Sequence, residues 1–293
     1  MANSFAAMKE SRQTQIEKLS SEVNKLQGSG APQGDDRFWK PEVDKSGNGH
    51  AIIRFLPAPN NEDVPFVRVF DHGFQGPGGW FIEKSLTTLG QNDPVSEYNT
   101  TLWNSGVESS KDQARKQKRR LSFISNIYVV KDPTNPHNEG KVFLYKFGKK
   151  IFDKLNDQMN PEFEDEKAVN PFDLWEGTSF RLKMRNVEGF RNYDKSEFDS
   201  PAPLLDDDAK LEEVWKGQYS LQEQIDTSQF KSYDELKSRL YRVLALDGGP
   251  QTSTATVDEQ YAPTPAATAP HVSAVDTADD DDESLSFFKK LAD

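Results

Sequence analysis

From Arg115 to Arg120 the chain reads Arg-Lys-Gln-Lys-Arg-Arg, and an apolar run, Leu121 to Val130, begins at once. Cations held beside a strand can neutralise phosphates, and flat rings beside them can stack on bases; together these are what single-stranded nucleic acid requires. Both kinds of group are interleaved here. The cations are Arg115, Lys116, Lys118, Arg119, Arg120, Lys146, Lys149 and Lys150, and the rings are Phe123, Tyr128, Phe143, Tyr145 and Phe147. Strand alternation puts Phe143, Tyr145 and Phe147 on one face and Lys146 on the other. Two plainer readings stand beside this one: the rings are ordinary core, and the basic run is a solvated loop.

Other chemistries find little support. The four histidines, His50, His72, His137 and His271, are scattered, and there are no cysteines. That removes disulfides, thiolate zinc sites and cysteine catalysis. There is no phosphate-cradling glycine loop with its lysine and no Gly-x-Ser-x-Gly nucleophile turn. The carboxylates lie in polar runs, where solubility explains them. No catalytic residue is expected, and no cofactor.

The net charge of -12 at first argues against a polyanionic partner. It conceals a segregation. Residues 111–150 hold eleven basic and three acidic residues, whereas residues 250–293 hold nine acidic residues and two lysines. Such a division suits a basic functional face and an acidic tail. Mean hydropathy is -0.80. No apolar run approaches the roughly 18 residues needed to span a bilayer. The first residues lack the pattern of a secretory signal, so a cytoplasmic protein is expected.

The elements that would position these groups follow from patterning. Residues 1–34 read as an arm: Ile16, Leu19, Val23 and Leu26 share a helical face, and a linker from Gly28 to Gly34 follows. Residues 35–247 read as the folded core. Strands are expected at 51–56, 66–70, 79–83, 121–130, 141–147 and 179–187, and helices at 148–159, 209–224 and 233–246. Ser232 and Glu235 form a capping-box pair at the start of the last helix. Short strands at irregular spacing suggest a mainly β fold with added helices, an α+β arrangement around a small β-barrel. Residues 248–293 are too poor in large apolar groups to fold. They end in Asp279, Asp280, Asp281, Asp282 and Glu283, then Leu285, Phe287, Phe288 and Leu291, a form suited to docking on partner proteins.

Several segments resemble a known family. They are Gly47-Asn48-Gly49-His50-Ala51-Ile52-Ile53-Arg54-Phe55-Leu56-Pro57, Asp71-His72-Gly73-Phe74, Val129-Val130-Lys131-Asp132-Pro133, Asn138-Glu139-Gly140-Lys141-Val142-Phe143, Phe147-Gly148-Lys149-Lys150-Ile151 and Gly189-Phe190-Arg191-Asn192-Tyr193-Asp194. In order and spacing they are similar to the helix-destabilising single-stranded DNA-binding proteins of T-even-like bacteriophages, over roughly residues 36–246. The resemblance implies an OB-type core with a positively charged cleft. It points to Lys118, Arg119 and Arg120 for phosphates, and to Trp80, Phe81, Phe123, Tyr145, Phe190 and Tyr193 for base stacking. It implies an arm that binds neighbouring copies on DNA, here through Lys9, Arg12 and Thr14, and a tail that recruits replication and recombination proteins.

Two departures stand out. Well-studied members of that family hold a structural zinc with one histidine and three cysteines. His72 matches the histidine, but Ser85 and Ser96 stand at two cysteine positions, and the third falls in a shortened stretch near Asp93. Zinc is therefore expected to be absent, since one imidazole does not make a tetrahedral site. Stability there is expected from packing around Leu86, Leu89, Val95 and Tyr98. The family's dense basic motif in the arm is also thinned, with Glu10 between Lys9 and Arg12. The expected function is sequence-independent binding of single-stranded DNA in phage replication, recombination and repair. An RNA-binding translational regulator and a metal-dependent enzyme acting on DNA are the alternatives.

Overall fold

The computed structural model describes residues 35–163 and 165–246. The arm positions Lys9, Arg12 and Thr14 and the tail positions 279–283, 287 and 288 lie outside the described residues. Asp35 to Phe38 belong to an N-terminal unit, in which Arg37 pairs with Asp35 at 2.8 Å. The described strands and helices all belong to the second unit.

Among the described residues eight antiparallel strands form a curled, OB-like half-barrel with five helices. They are β1 (Gly49–Phe55), β2 (Phe66–Gly76), β3 (Gly79–Lys84), β4 (Arg120–Lys131), β5 (Val142–Phe147), β6 (Phe180–Val187), β7 (Phe190–Asn192) and β8 (Glu197–Phe198). The order along the sheet is β3-β2-β4-β1-β6-β7, with β5 pairing β4 and β8 pairing β6. β4 is the central strand, flanked by β2, β1 and β5, and its middle, Ser122 to Ile127, is buried. With both faces covered, its sequence shows no clean apolar–polar alternation, and its polar members Ser122, Ser125 and Asn126 are small or hydrogen-bonded.

The helices are α1 (Pro94–Asn104), α2 (Glu108–Lys116), α3 (Lys149–Met159), α4 (Asp208–Lys216) and α5 (Tyr233–Leu244). The α5 capping box forms as the spacing requires, with Ser232 and Glu235 satisfying each other's backbone N–H groups. The helix expected over 209–224 is instead cut at Gly217. A buried amide directs the chain beyond that point: Asn126 donates to the Tyr219 carbonyl at 2.8 Å and accepts from its N–H at 3.0 Å. A residue whose backbone is claimed by the sheet in both directions cannot also continue a helix. No helix among the described residues is long and apolar enough to cross a membrane.

Two apolar cores matter for the site. The larger fills the half-barrel and includes Phe55, Phe123, Tyr145, Phe147, Leu155 and Phe180. The smaller gathers Phe74 and Phe81 from the β2–β3 hairpin, Leu86, Val95 from α1, and Leu236, Leu240 and Val243 from α5. Leu89 and Tyr98 pack against it, as expected. The hairpin is locked onto α5: Gly78 donates its N–H to the Val243 carbonyl at 2.8 Å, and a Cβ on Gly78 would come within 2.2 Å of the Arg242 carbonyl. Arg54 is also buried, donating to the carbonyls of Asp173 and Ala202 at 2.9 and 2.8 Å. Burial pulls its guanidinium down to about 10, against an upward pull from Asp173.

Candidate nucleic-acid interface

β2 is eleven residues long, and one of its faces serves both cores. Phe66 packs into the larger core and Phe74 into the smaller. Between them on the same alternating face lie Arg68, exposed, Phe70, half-buried, and His72, buried at the edge of the smaller core. The two cores thus leave a saddle whose floor is a cation and a ring. Arg119, just ahead of β4, lays its guanidinium 4.1 Å from the centre of the Phe70 ring, and Arg68 lies 5.3 Å from the same ring. Burial draws the Arg119 guanidinium below its ordinary value; Asp93 counters this, and the like charge of Arg68 adds to it. Two guanidinium groups gathered on one ring gain cation–π attraction but repel each other. An anion arriving there relieves that repulsion.

The chain reaches this point through a built corner. α2 ends at Lys116, and the next residue, Gln117, is buried with its carbonyl accepting from the buried Asn99 side chain of α1 at 3.0 Å. With the corner fixed, strand alternation sends Arg119 and Arg120 to opposite sides of the sheet. Arg120 pairs in register with Asp71 and donates to the Gly73 carbonyl at 2.9 Å. On that second face Lys146 of β5 forms an ion pair with Asp71, and Lys84 of β3 donates to the Gln224 carbonyl at 3.0 Å. Trp80 and Ile82, 45% and 51% exposed, complete it along β3.

The remaining cations are dispersed. Arg115 is exposed, bonded to Glu108 and Asp112, and sits 5.4 Å from the Trp103 ring. Lys116 is exposed at the end of α2, and Lys118 is half-buried in the corner. Lys149 and Lys150 open α3, where Lys149 pairs with Asp153 at 3.0 Å. One turn on, Phe152 stacks on Phe123 with ring centres 3.9 Å apart. The start of α3 therefore stands beside the larger core's end of the saddle.

The rings divide sharply. Trp80 is open, and so is Phe190, 59% exposed where Glu188 and Gly189 turn β6 into β7. Both turn residues have positive φ, as a two-residue hairpin turn of this kind needs. Tyr193 is half-buried against the larger core. Phe81, Phe123 and Tyr145 correct the expectation of stacking. Phe81 is fully buried and stacked on Phe74 at 5.0 Å, Phe123 lies between Phe66 and Phe152, and Tyr145 is only 3% exposed between Trp39 and Phe147. Alternation aims all three inward, where helices and neighbouring strands cover both ring faces. Burial pushes the Tyr145 hydroxyl well above its usual value. Arg68 and Phe70, which this geometry adds as candidate site residues, were not among those expected. A signal for them existed: an arginine between two rings at inward-facing positions of a strand is out of place in a core.

The family described as gp32 DNA binding protein like matches residues 47–244, which span every described strand and helix. The chain belongs to that family. A single-stranded DNA-binding protein of Enterobacteria phage T4 is 38% identical over 252 residues, covering 83% of each chain. That of Enterobacteria phage T2 is 38% identical over 251 residues, covering 82% of each. A third, from Escherichia phage SV14, is 42% identical over 84 residues, 27% of this chain and 74% of that relative.

The gp32-like resemblance implies a zinc in the smaller lobe, and the residues at that place do not fit one. His72, Ser85, Asp93 and Ser96 do come together, but around a carboxylate. Asp93 Oδ1 accepts from His72 Nε2 at 2.9 Å and from the N–H groups of Val95 and Ser96 at 3.1 and 2.9 Å. Its Oδ2 accepts from Ser85 Oγ at 2.9 Å and the Leu86 N–H at 3.1 Å. Both oxygens are saturated by donors, and the other imidazole nitrogen, His72 Nδ1, is buried without a hydrogen-bond partner. Among the described residues no three groups of metal-binding type cluster.

Proposed function

We propose that this protein binds single-stranded DNA without sequence preference, coating and protecting it and removing secondary structure during phage replication, recombination and repair in the host cytoplasm. The observation that carries this reading is the Arg68–Phe70–Arg119 saddle between the two cores. It offers charge for a phosphate beside an aromatic ring, neither of which reads the identity of a base, and this suits sequence-tolerant binding. Trp80 and Phe190 supply open ring faces elsewhere on the surface. Binding uses no catalytic group and no cofactor. A protein that prefers single strands lowers the duplex melting temperature by mass action alone. The family-level reading further assigns cooperative contacts between neighbouring copies to Lys9, Arg12 and Thr14, and recruitment of replication and recombination proteins to Asp279, Asp280, Asp281, Asp282, Glu283, Phe287 and Phe288.

The test is competition among an oligo-dT strand, its matched RNA and a duplex, at two salt concentrations. Preference for the DNA single strand, with affinity falling as salt rises, is expected. Equal binding to duplex refutes the reading, and preference for RNA replaces it with that of an RNA regulator.

A further inference from the structure

The smaller lobe joins three consecutive stretches of chain, separated only by short turns: β2, the turn after β3, and the first turn of α1. Asp93 touches all three, through His72, through Ser85 and Leu86, and through Val95 and Ser96. Each of these partners is a donor, and Asp93 is a buried acceptor with two oxygens to satisfy. The match is complete: five donors meet one carboxylate, and its charge needs no counter-ion from outside. Below the network the apolar residues Phe74, Phe81, Leu86 and Val95 close the lobe.

We infer that Asp93 is the staple of this lobe and that it holds β2, the β3 turn and α1 together without any metal. A zinc ion draws separated ligands to one point by accepting their lone pairs. A carboxylate draws separated donors to one point by offering its own. The polarity of the junction is inverted: ligand positions that elsewhere give electrons are here filled by hydroxyl and N–H groups that receive them. A metal-binding thiolate at Ser85 would face the Asp93 carboxylate as a like charge, whereas the Ser85 hydroxyl donates to it. The burial that would raise the Asp93 carboxyl is outweighed by His72, Ser96 and Ser85, which hold it far below the usual carboxylate range.

The experiment uses the purified full-length chain and zinc itself as the probe. Elemental analysis is expected to find no stoichiometric zinc, and the thermal midpoint is expected to be the same in chelator, in buffer and with equimolar zinc. Ser85→Ala, which removes one donor of the five, should lower the midpoint by a few degrees, and Asp93→Asn should lower it further. Added zinc should restore neither. One tightly held zinc per chain, a midpoint that falls in chelator or rises with zinc, or unchanged midpoints in both variants would each overturn the inference. If Asp93→Asn does not fold, Ser85→Ala and the zinc titration of the wild type still decide. Single-strand binding should likewise be indifferent to chelator. That last readout rests on the proposed function, whereas the midpoints do not, so failure of one is distinguishable from failure of the other.

Discussion

Replacing Arg119 by alanine separates a binding group from a structural one. Its guanidinium lies 4.1 Å from the Phe70 ring and shares that ring with Arg68. In the free protein the substitution removes a cation–π contact of about 1 kcal/mol and also relieves repulsion between like charges. The two nearly offset, so stability should move by less than about 1 kcal/mol. On DNA there is no such offset. A charge-assisted contact to phosphate contributes about 1.5–3 kcal/mol, equivalent to a roughly ten- to hundredfold loss of affinity at low salt. The salt slope is the sharper readout. Each phosphate contact on a single strand adds about 0.7 to the slope of log K against log salt. A tenfold rise in salt should therefore weaken the wild type about fivefold more than Arg119→Ala. Anisotropy titrations of a labelled oligo-dT at several salt concentrations, with a melt of each protein, measure both quantities. Arg119→Lys should keep the slope while losing the flat stacking on Phe70. An Arg119→Ala protein with wild-type affinity and slope would refute the assignment of the saddle. So would one that has simply unfolded.

Tyr145→Ala should cost roughly 3–5 kcal/mol of stability, as large-to-small changes at buried rings do, whereas Trp80→Ala should leave the melt unchanged and weaken single-strand binding by about 1–3 kcal/mol; denaturant melts and titrations read both. Tyr233 donates to Glu97 at 2.6 Å, and this bond, with some burial, pushes its phenol from 10.0 up to about 12. Because the folded value is raised, the stabilisation is intact below pH 10.0 and lost as pH climbs toward 12, so Tyr233→Phe should flatten that alkaline decline in a pH series of melts. Gly78→Ala should lower the thermal midpoint markedly, because its Cβ would meet the Arg242 carbonyl at 2.2 Å and force the β2–β3 hairpin off α5.

Most strands were legible because they obey local rules, but β2 runs on past the expected Phe70 to Gly76, where Asp71, Gly73 and Gln75 break the apolar pattern, and the short β7 and β8 carried no signal of their own. Ala51 to Leu56 and Leu121 to Val130 are β-branched or aromatic runs bounded by turn residues, and each became a strand within a residue or two. α5 announced itself through Ser232 and Glu235. α1 and α2 did not: Glu108 to Lys116 has one buried residue, Ala114, and so almost no apolar stripe to read. The sign of α1 was there in Asp93-Pro94, a capping acid followed by a residue suited to the first helical position. The cations of the site were legible as a run, but not their division between two faces. That division depends on where β4 begins, and Asn99 fixes it from eighteen residues away. The buried rings were misjudged for the same reason. An aromatic in a strand declares which neighbours share its face, not whether a helix such as α3 lies across that face.

A strand has no joint. Because β2 passes unbroken beneath both cores, the distance and angle between them are set by extended backbone rather than by a linker. On the proposed function, the saddle is shaped before any ligand arrives, and binding there need not first select a rare closed form of the protein. Pre-shaping favours fast capture of a passing strand. It also exposes the grip to distant damage: a cavity opened in either core tilts the same rigid rod and shifts Arg68 and Phe70 with it.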